Sequence, residues 1–214
     1  MREVIGAVVL VGLCVLQASA QEKKEKPTEA KWDLVFNGKT LAGWSKSSAT
    51  ATTTWKVEKG VIVGEGSGRV PAGSLIQGKP RTDFAIRVKG YGPHEGAGLF
   101  LRASNHNGEA KGYFVPLCRK HEGQPAGSLF SFIPGKGYEL LSAAKEILAT
   151  EGEEYDLEVT CVGNTLTVKL NGEEVVQHTD GRKLYASGLI ALRCGKDSGI
   201  RVSSVEVQDK SKKP

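Results

Sequence analysis

The sequence predicts an all-β protein, an antiparallel β-sandwich or barrel with at most one short helix. Three observations support this prediction. Apolar and polar residues alternate with a period of two in many short runs, glycine contributes 27 of 214 residues, and Gly-Asn or Asn-Gly pairs separate neighbouring runs. Period-two alternation is typical of half-buried antiparallel strands. Asn-Gly indicates a hairpin, because both central positions of the tightest two-residue loop need positive φ.

These runs follow one another from Trp32 to the end of the domain. The early and middle runs are "DLVF", "TWKVEKGVIVGEG", "GSLIQ", "DFAIRVKG", "AGLFLRA", "GYFVPLC" and "GSLFSFI". In the last third, "YDLEVTCV" and "NTLTVKLNG" alternate most regularly, and "GLIALRC" and "IRVSSVEV" complete the domain. Only "YELLSAAKEILA", residues 138–149, has helical composition. We expect either one short helix or a loop there.

The first 20 residues have the pattern of a secretory signal peptide. They contain an early arginine, an apolar stretch and a small-residue exit at Ala18-Ser19-Ala20. The apolar stretch is too short to span a bilayer comfortably. We therefore predict cleavage of 1–20, a charged linker at 21–31, one domain at 32–208 and a basic tail at 209–214. The mature protein is expected to be exported, either periplasmic or secreted, without a membrane span.

Charge and cysteine usage argue against several functions. The formal net charge is +5, but the lysines crowd the two ends of the chain. Nucleic-acid binding needs a clustered basic face, so we do not expect it. Cys118, Cys161 and Cys194 remain after signal cleavage, and they are either small core residues or one bridge and one thiol. Without a C-x-x-C pair, a thiolate zinc site is not expected.

Six motifs follow one another along the mature chain. They are "DLVFNGKTLAGW", a segment with Trp55, Val57 and Gly60, "EGAGLFLR", "GYFVPLC", "EYDLEVTCVGNTLTVKLNGEEV" and "SGLIALRCGKDSGIRVSSVEV". In their order these motifs resemble the 3-keto-disaccharide hydrolase family across nearly the whole mature chain. The chain departs from the family's pattern at Gly96-Ala97, which replace Asn-Ser. It departs again at Phe114, which replaces an acid, and at Pro116, which replaces Gln.

The resemblance implies a concanavalin A-like jelly roll that binds sugars on a concave face. It also implies cleavage of glycosides already oxidised at carbon three of the sugar. A 3-keto group acidifies the hydrogen on carbon two, so a base can remove it and the glycosidic oxygen then leaves from carbon one. Addition of water makes the net reaction a hydrolysis. Such a site needs a general base and an electrophile for the enolate. The cofactor is unknown, and a divalent metal ion is one option for the electrophile.

Candidate site residues come from three stretches. In "GLFLR", strand alternation places Phe100 and Arg102 on one face, so we expect both to contact the ligand. His94 and Glu95 precede that strand and form the best acid–base pair in the sequence. We predict His94, Glu95 and Arg102 as catalytic. We predict substrate binding by a second set: Phe100, Arg102, Tyr113, Arg119 and His121.

Each of these residues also has a structural interpretation. Arg102 would then pair with an acid at a strand end, Tyr113 would be a buried aromatic, and His94-Glu95 would be a polar turn. If the strands before and after them are neighbours, His94, His121 and one acid can meet at one sheet end and hold a metal. No metal ligand is assigned. A non-catalytic carbohydrate-binding module is the alternative function, and Phe114 and Pro116 favour it. A module for protein contacts at a cell surface is a third option.

Overall fold

The computed structural model describes residues 31–48, 52–67, 73–91, 96–117, 120–145 and 154–211. Within these ranges there are seventeen strands and no helix. In chain order they are β1 Asp33–Leu34, β2 Trp44–Lys46, β3 Thr54–Glu58, β4 Val61–Glu65, β5 Ser74–Arg81, β6 Phe84–Tyr91, β7 Gly98–His106, β8 Glu109–Pro116, β9 Lys120–His121, β10 Gln124–Pro125, β11 Leu129–Ile133, β12 Gly137–Ser142, β13 Glu154–Val162, β14 Thr165–Leu170, β15 Glu173–Thr179, β16 Gly188–Arg193 and β17 Gly199–Asp209. In the described ranges we also find no helix of the length and apolarity that a membrane crossing requires.

Two antiparallel sheets form the predicted sandwich. The eight-stranded sheet has the order β15-β14-β13-β6-β17-β4-β3, with β1 paired to β17. The seven-stranded sheet has the order β12-β11-β8-β7-β16-β5-β2, and β9 and β10 form a separate short hairpin. The all-β sandwich is therefore confirmed. The proposed helix at 138–149 is wrong for its first residues, because Tyr138 lies in β12, and residues 146–149 lie outside the described residues.

The alternation of apolar residues places one face of each sheet in a shared core. Leu99, Leu101 and Tyr113 of the seven-stranded sheet pack in the same cluster as Leu157 and Val159 of the eight-stranded sheet. Burial of this apolar surface is the main stabilising contribution to such a sandwich. Cys161 and Cys194 are free and buried there, which agrees with their interpretation as small core residues; Cys118 lies outside the described residues.

Two-residue loops fix the register of β13, β14 and β15, as the turn residues predict. Val162 pairs with Thr165 around Gly163-Asn164, and Leu170 pairs with Glu173 around Asn171-Gly172. Asn171 and Gly172 both have positive φ, 52° and 86°, which is the geometry that favours Asn-Gly in a tight hairpin.

Strand β8 is an interior strand, paired with β7 on one side and β11 on the other. Pro116 does not place it at an edge, because Pro116 is the last residue of the strand and ends the ladder opposite Gly98. Its carbonyl still accepts a hydrogen bond from the N–H of Gly127, at 3.0 Å. Strands β7 and β8 lie side by side, and Gly98 at the start of β7 is opposite Pro116 at the end of β8, as the expected meeting of the segments before β7 and after β8 requires.

Candidate functional site

The predicted position of Arg102 is wrong. Its φ is 47°, and the register between β7 and β8 shifts between Leu101 and Ser104. This bulge interrupts the alternation, so Arg102 does not share a face with Phe100. The side chain is 2% exposed and lies at one end of the sandwich.

The guanidinium of Arg102 makes five hydrogen bonds, which matches its five N–H donors. Nε and Nη2 donate to the carbonyl of Thr82 at 2.9 and 2.7 Å, and Nη2 donates to Oδ1 of Asp83 at 3.3 Å. Nη1 donates to the carbonyls of Gly163 at 2.7 Å and Tyr185 at 3.2 Å. Arg102 thereby joins the β5–β6 turn, the β13–β14 turn and the loop before β16. It has no donor left for a ligand.

Tyr113 also has a structural position, in the core between the sheets. It is fully buried, and its hydroxyl donates to Oδ2 of Asp180 at 2.6 Å. Burial and this hydrogen bond raise the pKa of the Tyr113 hydroxyl. Burial acts to raise the pKa of the Asp180 carboxyl. The hydrogen bonds from Tyr113 and from the N–H groups of Leu184 and Arg182 outweigh it and hold that pKa below its usual value.

The seven-stranded sheet carries a second apolar cluster on its outer face, away from the eight-stranded sheet. We call it the aromatic face; its rings belong to Phe100, Phe114, Phe130, Phe132 and Tyr138. Adjacent rings are close, with centroids 4.8 Å apart for Phe100 and Phe114 and 4.5 Å apart for Phe132 and Tyr138. The four phenylalanines are at most 7% exposed. The outer face of this sheet is therefore packed with aromatic groups and is not an open polar hollow.

Gly98 explains how the Phe114 ring lies flat against β7. A Cβ atom at position 98 would collide with that ring and with the carbonyl oxygen of Val115. The absence of a side chain at Gly98 therefore makes room for a side chain of the same sheet.

His121 reaches the aromatic face from the β9–β10 hairpin. Its ring centroid lies 4.3 Å from that of Tyr138 and 5.1 Å from that of Phe114, and its side chain is 7% exposed. Of the predicted site residues, His121 and Phe100 are thus brought to one face, whereas Arg102 and Tyr113 are not. His94, Glu95 and Arg119 lie outside the described residues.

Arg193 is a residue of this face that the sequence analysis missed. It is the last residue of β16 and follows the regular alternation, since Ile190 and Leu192 point into the core. Its guanidinium carbon lies 5.5 Å from the ring centroid of Phe132, 5.9 Å from that of Tyr138 and 6.0 Å from that of Phe100. Its Nε is buried without a hydrogen-bond partner. A guanidinium over ring faces is stabilised by cation–π attraction, which provides no oxygen acceptor.

The clefts away from the aromatic face have a different character. A cleft of about 260 Å³ at the sandwich end is lined mainly by charged and polar side chains, among them Asp33, Arg81 and Asp209. A shallower one of about 230 Å³ lies over the ion pairs of the eight-stranded sheet. In the part of the chain that the structure describes, no three His, Cys, Asp or Glu side chains are grouped to hold a metal ion. The aromatic face, with an imidazole, a phenol and a guanidinium, has the richest chemistry.

Residues 31–208 match the family model described as a 3-keto-alpha-glucoside-1,2-lyase-like domain. No curated protein matches the chain in sequence. The match includes all seventeen strands except the last residue of β17.

Solved structures with the same fold are similar to this chain at low identity. A candidate glycosyl hydrolase from Parabacteroides distasonis has a TM-score of 0.63 at 17% identity, covering 84% of this chain and 99% of that one. The carbohydrate-binding module CBM66 from Bacillus subtilis has a TM-score of 0.58 at 18% identity, covering 77% and 95%. At these identities the similarity shows the jelly-roll sandwich alone.

Proposed function

Because the chain belongs to the family of 3-keto-alpha-glucoside-1,2-lyase-like domains, we propose that it is an exported protein that cleaves 3-keto-glycosides. The reaction is an elimination followed by hydration. A base removes the hydrogen on carbon two, and the electron pair forms the enolate of the 3-keto group. The enolate then reforms the ketone, makes a double bond between carbons one and two, and expels the glycosidic oxygen, which takes up a proton. Water adds across the new double bond.

The family match over the whole described domain is the observation that carries this proposal. The aromatic face supports it chemically. The four phenylalanine rings are buried, but the Tyr138 ring is only partly buried and can meet the apolar face of a sugar. Among the described residues, we assign the base to His121, whose imidazole lies against Tyr138, because histidine is the side chain that most often serves as a general base. His94 and Glu95 remain predicted contributors.

The test is turnover of a 3-keto-disaccharide, with the unoxidised disaccharide as the control substrate. Release of the aglycone sugar is followed by chromatography, with and without a chelator. In deuterium oxide the sugar product should carry deuterium at carbon two, because that hydrogen is removed and replaced. Cleavage of both substrates, or cleavage without deuterium at carbon two, would contradict the elimination.

Replacement of His121 should reduce turnover strongly. We expect His121→Gln to lower kcat about 100-fold, the usual contribution of a general base. His106→Gln is the matched control, because His106 is an exposed histidine at the far end of β7. Equal activity of the two variants would remove His121 from the mechanism.

A non-catalytic carbohydrate-binding module is the second candidate. Phe114 favours it, since an apolar ring stands in the centre of the face where the family's pattern has an acid. Similarity in fold to CBM66 agrees with this option. Saturable binding of the unoxidised sugar, without turnover of the 3-keto form, would establish this function instead.

A further inference from the structure

Arg193 has a different environment from Arg102 and Arg87. Arg102 has acceptors for all its donors, and Arg87 on the opposite sheet pairs with Glu158 at 2.6 Å. Arg193 has only aromatic rings beneath it, and no ion pair within the described ranges includes it. Its buried Nε lacks an acceptor.

A buried N–H donor without an acceptor lowers stability relative to one that is hydrogen-bonded. The three ring centroids lie 5.5 to 6.0 Å from the guanidinium carbon and offer Nε no acceptor. An oxygen atom with negative charge is the partner that would satisfy this edge best, because guanidinium groups form their strongest hydrogen bonds with anionic oxygens. No described residue supplies such an oxygen to Nε.

We propose that Arg193 binds the oxygen on carbon three of the 3-keto sugar and stabilises the enolate that forms when the hydrogen on carbon two is removed. This rests on the proposed function. In the ground state Arg193 donates to a neutral carbonyl. When the C2–H bond breaks, the electron pair moves into the C2–C3 bond and the charge moves onto that oxygen. The N–H groups of Arg193 therefore bind this oxygen more strongly in the transition state than in the ground state, which is the condition for catalysis.

The positions of the neighbouring groups fit this role. The Tyr138 ring is close to both groups, with its centroid 4.3 Å from that of the His121 imidazole and 5.9 Å from the guanidinium carbon of Arg193. Base and cation thus lie near the same aromatic ring. Carbon two and the oxygen on carbon three are separated by two bonds, so a sugar lying over that ring can present both groups at once.

The experiment compares Arg193→Met, Arg193→Lys and the control Arg201→Met, an arginine of β17 in the opposite sheet. Steady-state kinetics with the 3-keto-disaccharide are combined with the rate of deuterium incorporation at carbon two. We expect Arg193→Met to lower kcat and the exchange rate about 100-fold with little change in KM, as for loss of one oxyanion donor. Arg193→Lys keeps the charge and should lose less, and Arg201→Met should stay within twofold of the wild type.

The outcomes separate this inference from the proposed function. If the wild-type protein neither cleaves the substrate nor exchanges its hydrogen, the proposed function fails. If the wild type is active and Arg193→Met keeps kcat within threefold, or changes KM alone, the role of Arg193 is overturned while the function stands. Should Arg193→Met not fold, as judged by circular dichroism, Arg193→Gln, which also removes the charge, decides by the same criterion, and partial rescue of its kcat by added guanidinium supports the role.

Discussion

The outer faces of the two sheets obey the same alternation but have opposite chemistry. On the eight-stranded sheet the outer face carries ion pairs, such as Arg87–Glu158 at 2.6 Å and Lys89–Asp156 at 3.1 Å, with partly exposed side chains. On the seven-stranded sheet the corresponding positions carry buried rings. One solvated face is the rule for an antiparallel sheet. A sheet with apolar residues on both faces needs a cover or a ligand, which directs attention to the aromatic face.

Three arginines extend this comparison, because each has different neighbouring groups. Arg87 lies at the surface, with Glu158 beside it and the Trp32 ring 4.1 Å from its guanidinium carbon. Arg102 is surrounded by carbonyl oxygens in the interior. Arg193 lies over rings without an oxygen partner for Nε. Charge alone therefore does not distinguish these arginines; the partners of their N–H groups do.

The largest difference between the two faces should appear when a side chain is truncated. Phe114→Ala removes a fully buried ring from the aromatic face, and we expect it to lower the free energy of unfolding by about 4 kcal/mol. Lys89→Ala on the charged face should change it by less than about 0.5 kcal/mol. Urea denaturation measures both. Similar small values would mean that the aromatic face does not contribute to the core of the fold.

Replacement of arginine by methionine should lower the free energy of unfolding more in the interior than at the surface. Arg102→Met leaves the carbonyls of Thr82, Gly163 and Tyr185 without their donor, and we expect a loss of about 3 kcal/mol. Arg87→Met breaks a half-exposed ion pair and should cost less than about 1 kcal/mol.

The same pair of variants tests the corrected assignment of Arg102. If its role is only structural, ligand affinity per folded molecule should be unchanged. A stable Arg102→Met protein that fails to bind substrate would restore Arg102 to the site.

The two stretches "FLRA" and "ALRC" show what the sequence could and could not predict. Both place an arginine directly after a core leucine, at Leu101-Arg102 and Leu192-Arg193, so alternation assigns both to the outer face. The structure follows that rule at Arg193 and breaks it at Arg102, where a positive φ and a bulge turn the side chain inward. Alternation and turn residues were sufficient for strands and hairpins. The inward position of Arg102 at its bulge depends on carbonyl groups from turns that are distant in sequence, and no local pattern reveals them.

Tyr138 was missed for a related reason. The apolar and charged residues that follow it have helical composition, but β11 offers Tyr138 a strand partner, Phe132, and tertiary pairing prevails over local preference.

The signal that would have found Arg193 was present in the sequence. Its stretch repeats the pattern that drew attention to Arg102.

The smallest expected effect concerns Tyr113 and depends on pH. Tyr113→Phe removes one donor from Asp180, and we expect a loss of about 1 kcal/mol at pH 7. The folded-state pKa of Asp180 is below the ordinary value of 3.8. The Asp180 carboxylate therefore contributes its full stabilisation above pH 3.8, and this contribution is lost as the pH falls through the folded-state pKa. Without Tyr113 the pKa should return towards 3.8, so the difference between variant and wild type should shrink in acid.

Tyr185→Phe is the matched control for this pH dependence, because its hydroxyl donates to the carbonyl of Phe132 at 3.2 Å and not to a carboxylate. Its loss of stability should be the same at pH 7 and pH 3, whereas that of Tyr113→Phe should be smaller at pH 3. Chemical denaturation at the two pH values measures the difference. If both variants respond to pH alike, the depressed pKa of Asp180 does not come from Tyr113. The backbone N–H groups of Leu184 and Arg182 would then account for it, and the pairing of Tyr113 with Asp180 would serve only to satisfy two buried polar groups.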